Sequence, residues 1–221
     1  VIFGELLQRN GRDAAFEGVP FPVYVLTGRL LYSFFSSSTN SAMKSIRTNG
    51  GMIKKVYVPK YMYPLSGILS NFVIFLISLV VLVGVMVFFM VSGTYEAPMN
   101  WYMLLSVVPL INLLMLAVGT GLILATLCVF FRDIEYLWSV LLMLIMYCSA
   151  IFYFASSLGP QKQALIRANP LFGIVHNFRR ALFGQPFDMT LLAYTFGVSI
   201  VAMGVGMFVF YRKQDTFILN I

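Results

Sequence analysis

Charged residues are scarce in this chain. Only 10% of its 221 residues are Asp, Glu, Lys or Arg, whereas a typical soluble domain has about 25%. Hydrophobic residues make up 60%, and the mean hydropathy is +0.87. So little polar surface cannot coat a soluble globule of this size, which excludes an ordinary soluble domain, a disordered chain and a fibrous protein. The composition predicts a polytopic membrane protein.

Residues that support catalysis or metal binding are also few. The two cysteines, Cys128 and Cys148, lie in apolar runs, and the single histidine, His176, has no cluster of further ligands around it, so we predict neither a disulfide nor a metal site. The sequence has no phosphate-binding loop of the G-x-x-x-x-G-K-[ST] type. We therefore predict no enzyme activity and no cofactor on this chain, and we expect any driving energy to come from another subunit.

Long apolar runs dominate what is present, and the strand alternation of a lipid-facing barrel is absent. We predict an all-α protein with four uncharged helices long enough to cross a hydrocarbon core of about 30 Å: 65–91, 101–131, 136–158 and 189–211.

A fifth span is predicted at 21–43, although it contains Arg29 and a run of serine, threonine and asparagine side chains. Lipid does not solvate such a face, so this helix has to pack inside a bundle or border water. Two interpretations are open. In one, Arg29 extends to the interface and the hydroxyls bond to their own backbone; in the other, the helix faces a translocation path.

The connecting segments indicate the orientation. Residues 44–60 carry five cations and no acid, so the positive-inside rule places them in the cytoplasm. The alternation of spans then places 132–135 and 212–221 on the same side, and 92–100 and 159–188 outside. The basic segment 44–60 either sets topology and attracts anionic lipid, or docks a cytoplasmic partner.

The outer segment contains a predicted helix at 170–183. Asn169 supplies an N-cap before a proline at the first helical position, and apolar residues follow at helical spacing. Arg179 and Arg180 fall away from that apolar stripe. We predict an amphipathic helix that lies in the outer interface or dips into it, either as a simple anchor or in contact with anionic groups. His176 is expected to be interfacial or buried and hydrogen-bonded.

Aromatic residues form two clusters, one in the polar fifth span and one in the outer half of 136–158. Aromatic faces stack on sugars, and hydroxyls supply adaptable hydrogen bonds, so these clusters are candidates for a glycan path. A membrane-interface belt and helix packing are the alternative. The members are Tyr32, Phe34, Phe35, Tyr147, Phe152, Tyr153 and Phe154.

Several segments together resemble the permease subunits of bacterial ABC exporters for cell-surface polysaccharides, which include the wall teichoic acid and O-antigen export permeases. The resemblance is carried by GRLLYSFFSSSTNSAMKSI at 28–46 and NGGMIKKVYVPKYMYPLSGILSNFV at 49–73. The turn FRDIE at 131–135, the segments NPL and FRRALF at 169–171 and 178–183, and the ending FYRKQDTFILNI fit the same family. The likeness covers essentially the whole chain.

The resemblance implies a bacterial cytoplasmic-membrane protein with six membrane-spanning helices, five of them complete here and the first represented by residues 1–7. It implies a homodimer of permeases with a central channel for a lipid-linked glycan. Two separate ATPase subunits, which hold ATP and Mg²⁺, would bind below. A permease of the same architecture that exports a drug or small lipid is the main alternative, and an intramembrane enzyme acting on lipid-linked sugars is a further one.

The same resemblance assigns roles to residues. The two aromatic clusters, together with Arg29, become candidates for the translocation path. The helix at 170–183 becomes part of an outward re-entrant element, with Arg167, Arg179 and Arg180. Coupling to the ATPase is assigned to the basic segment, with the candidates Arg47, Lys54, Lys55, Tyr57 and Lys60.

Overall fold

The computed structural model describes residues 16, 19–53, 55, 58–93, 101–155 and 160–217. Within these residues the chain forms helices and turns and contains no strand, which confirms the predicted all-α fold class. The α-helices are α1 (Phe21–Thr48), α2 (Gly50–Ile53), α3 (Met62–Val91), α4 (Val107–Phe130), α5 (Ile134–Cys148), α6 (Pro160–Arg167), α7 (Pro170–Leu182) and α8 (Met189–Lys213).

Among the described helices, three stretches are both long and apolar enough to cross a membrane. They are Met62–Val91, Trp101–Phe130 and Met189–Thr216, so they correspond to α3, to α4 with the 3₁₀ turn before it, and to α8 with the 3₁₀ turn after it. These helices form a polytopic membrane protein, as predicted. The total of five spans stays a prediction.

Two further helices differ from this apolar type. Helix α1 has 28 residues, which corresponds to about 42 Å at the usual rise, but its polar residues make it less apolar than the other three. Helix α5 has only 15 residues and ends at Cys148, ten residues before the end of the predicted span 136–158. Ala150 follows the helix end with a φ of 46°, so the apolar run continues beyond it in a non-helical conformation.

Helix α4 lies at the centre of the bundle, between α1 on one side and α8 on the other. A buried polar cluster joins α4 to α8: the amide of Asn112 donates to Thr195 Oγ1 at 2.8 Å, and Ser199 Oγ donates to Asn112 Oδ1 at 2.6 Å. All three side chains are fully buried. Such hydrogen bonds hold helices together where lipid offers no alternative partner.

Small residues bring α4 close to its neighbours. A Cβ atom on Gly119 would lie 2.5 Å from the backbone of Ala202, and one on Gly206 would press against the Gly119 carbonyl oxygen. On the other side of α4, a Cβ on Gly121 would lie 3.0 Å from Ala42 of α1. These contacts agree with the close helix packing that small residues permit in membranes.

Helix α7 begins one residue after Asn169, as predicted, and the Asn169 side chain accepts a hydrogen bond from the Leu171 amide at 3.1 Å. Its apolar residues are buried in the same core as those of α1 and α4. Helix α7 packs against α1, α4 and α8, so it is enclosed by protein to a greater extent than an amphipathic anchor on a membrane surface.

We expect the Gly206→Ala substitution to destabilise the protein, because the added methyl group meets the Gly119 carbonyl and forces α8 away from α4. Overpacking of this kind costs about 1–3 kcal/mol. Gly204→Ala is the matched control, since a Cβ atom at Gly204 meets nothing within 4 Å. The measurement is the thermal unfolding midpoint of the purified protein in detergent. Equal midpoints for the two variants would contradict the close α4–α8 contact.

Candidate functional site

A polar stripe runs along the outside of α1. Arg29, Ser33, Ser37 and Ser41 recur every four residues, and all four are exposed. Residues spaced by four lie on one face of a helix, and Lys44 continues the same face towards the end of α1. We call these five residues the α1 polar stripe. It gives α1, the predicted fifth span, a continuous row of groups able to form hydrogen bonds.

Helix α3 contributes to the same surface. A cleft between α1 and α3 is lined by Ser33 and Ser37 on one side and by Asn71 and Ser78 on the other. The Asn71 amide donates to Ser41 Oγ at 2.9 Å and bridges the two helices. The cleft therefore presents hydroxyl and amide groups from both helices.

The aromatic residues that were predicted to border a path in this helix are largely buried within one chain. Tyr32, Phe34 and Phe35 are 8%, 3% and 3% exposed. The Tyr32 hydroxyl donates to the Leu142 carbonyl at 2.9 Å. Tyr32 and Phe35 lie in the core of the described chain, whereas Phe34, although nearly buried, also lines the cleft between α1 and α3. All three alternate along α1 with the residues of the polar stripe. The four-residue spacing of the stripe is the sequence signal that could have identified the exposed face of α1.

These aromatic residues pack against rings of two neighbouring helices, and their place in a path stays a prediction. The Phe34 ring lies 5.0 Å from that of Phe75 on α3, and the Phe35 ring lies 6.3 Å from that of Trp138 on α5. Trp138 in turn donates from Nε1 to Thr39 Oγ1 at 3.2 Å. The buried face of α1 is thus fixed against α3 and α5, which leaves the polar stripe facing outwards.

The second predicted aromatic cluster is divided by the structure. Tyr147 and Phe152 are exposed, whereas Phe154 is buried and its ring lies 4.5 Å from that of Tyr24. Tyr153 is half-buried, and its hydroxyl donates to the Tyr147 carbonyl at 2.6 Å. Tyr147 and Phe152 therefore remain available to a ligand, and their place in a path stays a prediction.

Arg179 is the most unexpected residue of the candidate site. The sequence places it on the polar face of α7, but it is only 1% exposed, so the prediction of a surface position is wrong. Its guanidinium donates to the carbonyls of Tyr24 at 2.9 Å, Ala150 at 3.1 Å and Ile151 at 3.3 Å, and to Thr27 Oγ1 at 3.3 Å.

The Tyr24 ring completes the environment of Arg179, with the guanidinium carbon 3.6 Å from the ring centroid. Among the residues that the structure describes, backbone carbonyls, a hydroxyl and an aromatic face surround the guanidinium in place of a carboxylate, which suits its planar, multidentate shape. Gly28 leaves the room for it, because a Cβ atom there would collide with Nη2 of Arg179. Arg179 therefore ties α7 to α1 and to the end of α5.

The other basic residues of the predicted outer segment are less buried than Arg179. Arg167 is exposed and Arg180 is half-buried.

His176 lies on the same helix as Arg179. Its ring stacks on Phe172 with a centroid separation of 5.6 Å. Burial, reinforced by Arg180 and Arg179, lowers the pKa of His176 to about 4, so the imidazole is neutral at physiological pH.

Ion pairs gather the predicted cytoplasmic segments at one end of the bundle, which we call the basic end. Arg47 and Lys44, near the end of α1, both pair with Glu135 in the first turn of α5, the Lys44 contact being 3.5 Å. Lys60 donates to the Gln214 carbonyl after α8 at 2.6 Å. These contacts place parts of 44–60, 132–135 and 212–221 side by side, as the predicted alternation of spans requires.

The candidates for coupling to the ATPase fall into two groups, those held by contacts within the chain and those that are exposed. Arg47 and Lys60 are held by these intramolecular contacts, whereas Lys55 is exposed. Lys54 and Tyr57 lie outside the described residues. An exposed cation beside the exposed Met52 is a surface that a partner is able to reach.

Comparison with known proteins now identifies the class of this membrane protein. The model of the ABC-2 type transporter family matches residues 1–183, and the chain belongs to this family. Family membership makes it a transport permease that works with an ABC ATPase. The predicted resemblance to polysaccharide-export permeases is confirmed by the individual relatives.

Among these relatives, an O-antigen export system permease protein RfbA from Klebsiella pneumoniae is 28% identical over 198 residues, covering 89% of this chain and 74% of the relative. One from Myxococcus xanthus is 23% identical over 205 residues, covering 91% and 76%. A polysialic acid transport protein KpsM from Escherichia coli is 25% identical over an alignment of 221 residues, covering 99% of this chain and 81% of the relative.

We expect Arg179→Gln to destabilise the protein strongly, because the substitution removes the donor from several buried carbonyls at once. Each buried group left unsatisfied costs roughly 1–3 kcal/mol. Arg179→Lys should give little rescue, since one ammonium group does not reproduce the planar set of contacts. Thermal unfolding in detergent measures the effect.

Arg167→Gln on α6 is the matched control, since Arg167 is exposed. It should unfold within about 0.5 kcal/mol of the unsubstituted protein. An Arg179→Gln variant as stable as this control would show that Arg179 does not hold α7 in place.

Proposed function

We propose that this chain is the permease subunit of an ATP-driven exporter that carries a lipid-linked polysaccharide across the bacterial cytoplasmic membrane. The observation that carries this proposal is the α1 polar stripe with its α3 cleft. Exposed hydroxyl and amide groups at membrane depth are unfavourable in lipid, and they match a substrate rich in hydroxyl groups. The names of the O-antigen and polysialic acid relatives support the same substrate class.

The chemistry of the stripe suits a polymer that has to move. Serine hydroxyls both donate and accept hydrogen bonds and rotate freely, so they exchange partners as successive sugars pass. Single neutral hydrogen bonds contribute only about 1 kcal/mol each, so no position along the stripe traps the glycan. Arg29 near one end of the row adds attraction for an anionic glycan, such as a teichoic acid or a sialic acid polymer.

A channel requires a second wall, and we propose that a second copy of the chain supplies it. The stripe is exposed along its whole length in one chain. Helix α5, which packs beside α1, exposes most of its side chains, including Tyr136, Val140, Met143 and Tyr147. Two copies that meet at these faces enclose a path lined by both polar stripes and edged by Tyr147 and Phe152.

The basic end is the proposed contact with the ATPase subunits, which hold ATP and Mg²⁺. Lys55 and Met52 are exposed there, and their segment follows α1 directly through the short helix α2. Through Arg47 and Glu135 the same region is joined to the start of α5. A movement imposed on this segment by ATP binding is therefore passed to both helices that border the path.

We expect the double substitution Ser33→Val with Ser37→Val to reduce export, because two hydroxyls that meet the glycan become methyl groups. The loss of about 1 kcal/mol per hydrogen bond corresponds to about five-fold per site. Export is measured as surface glycan formed per assembled transporter.

The matched control is Ser33→Thr with Ser37→Thr, since threonine has nearly the size of valine but keeps the hydroxyl. It should retain most export. Export at the unsubstituted level in both the valine and the threonine variants would remove the stripe from the path. An equal loss of export in both variants would indicate a purely steric effect and would contradict the role of the hydroxyls.

We expect Lys55→Glu to lower export and the glycan-dependent ATPase activity while membrane insertion stays unchanged, because charge reversal at an exposed docking site disturbs association with the partner. Lys162→Glu, an exposed lysine on α6 far from the basic end, is the control and should have no effect. Normal ATPase coupling in Lys55→Glu would refute the docking role.

A further inference from the structure

A large apolar cavity lies between α3, α4 and α8 near the basic end, on a different part of the surface from the polar stripe. Its volume is about 510 Å³, which is within the range of ligand sites. The wall is formed by Leu65, Val118, Leu122, Met207, Phe208 and Phe210. Met207 and Phe208 are 47% and 63% exposed, so the cavity opens on the outer face of the bundle.

Tyrosines mark the depth of the cavity in the membrane. Tyr61 and Tyr211 line its end and are 52% and 77% exposed. Gln214 completes that end. Tyrosine and polar residues gather where the hydrocarbon meets the head groups, so one end of the cavity lies in the acyl region and the other at the head-group level.

Two cations lie between Tyr211 and Gln214 in the sequence, next to the head-group end, although neither lines the cavity. The Arg212 guanidinium lies over the ring of Phe208, 5.9 Å from its centroid, and Lys213 follows, also exposed. Neither has a carboxylate partner in the part of the chain that the structure describes. The nearby carboxylate, Asp215, is 92% exposed and lies 3.8 Å from the ammonium of Lys60, so its charge is offset by that lysine.

We infer that this cavity is a binding site for an anionic phospholipid, with one acyl chain between α3 and α8 and the phosphate at Arg212 and Lys213. The acyl chain alone gives little selectivity, because bulk lipid is as apolar as the cavity wall. Selectivity comes from the head group, since each Lys or Arg near it favours an anionic lipid by about five-fold. Charge complementarity therefore identifies the occupant.

The test is native mass spectrometry of the intact permease released from nanodiscs that contain equal amounts of phosphatidylglycerol and phosphatidylcholine. We expect phosphatidylglycerol to be retained at least about five-fold over phosphatidylcholine. The double substitution Arg212→Gln with Lys213→Gln should bring the two lipids close to parity. Lys162→Gln with Arg167→Gln, at two exposed positions on α6, removes the same net charge and should keep the preference.

A second pair of variants tests the cavity itself. Met207→Trp fills part of it and should lower the amount of phospholipid retained, whereas Ile200→Trp, exposed on α8 but outside the cavity, should not. The charge variants lie at exposed positions, so they remain informative if Met207→Trp fails to fold.

Three results would overturn the inference. The first is equal retention of both lipids by the unsubstituted protein, and the second is a preference that survives the double charge substitution. The third is evidence for a different occupant. Preferential retention of an added polyprenyl diphosphate would indicate another lipid, and a Met207→Trp variant that changes oligomeric state but keeps its lipid would indicate a second protein copy. Because none of these readouts measures export, failure here leaves the proposed transport function standing.

Discussion

The buried guanidinium of Arg179 is the interaction on which the arrangement of the site depends. A charge enclosed in a membrane protein is costly unless every donor is satisfied, and here the acceptors come from two separate parts of the chain, both distant in sequence from Arg179. Tyr24 and Thr27 fix α1, whereas Ala150 and Ile151 fix the turn after α5. The same contacts hold Ala150 in its left-handed conformation. One side chain thus sets where α1, α5 and α7 meet.

The polar stripe is possible because the opposite face of α1 is so firmly packed. Tyr32, Phe34 and Phe35 anchor the helix against α3 and α5, so Ser33, Ser37 and Ser41 are directed outwards. The close α4–α8 contact supports the other side of the bundle, where Asn112 is satisfied within the protein. Asn112 is therefore enclosed within the bundle, whereas the serines of the α1 polar stripe are collected on one surface.

Much of this architecture follows from the sequence, because long apolar runs and helix caps are local signals. Such local signals predict the start of α7 at Pro170 and the apolar spans. The burial of Arg179 does not, since a cation off the apolar stripe resembles a surface residue and its acceptors are distant backbone carbonyls. The burial of the aromatic residues of α1 was missed for a related reason. Clustering in sequence does not reveal which face of the helix is exposed, whereas the four-residue spacing of Arg29, Ser33 and Ser37 does.

The early end of α5 has a mechanical consequence for the surrounding bilayer. Its 15 residues extend about 22 Å, whereas the 30 residues of α3 extend about 45 Å and are able to tilt. The helical part of the hydrophobic wall at α5 is about 8 Å shorter than an average hydrocarbon core of about 30 Å, and the apolar residues that follow, including the exposed Phe152, extend it in a non-helical conformation. The hydrophobic thickness on this side of the protein therefore depends on the conformation of a turn as well as on the length of a helix.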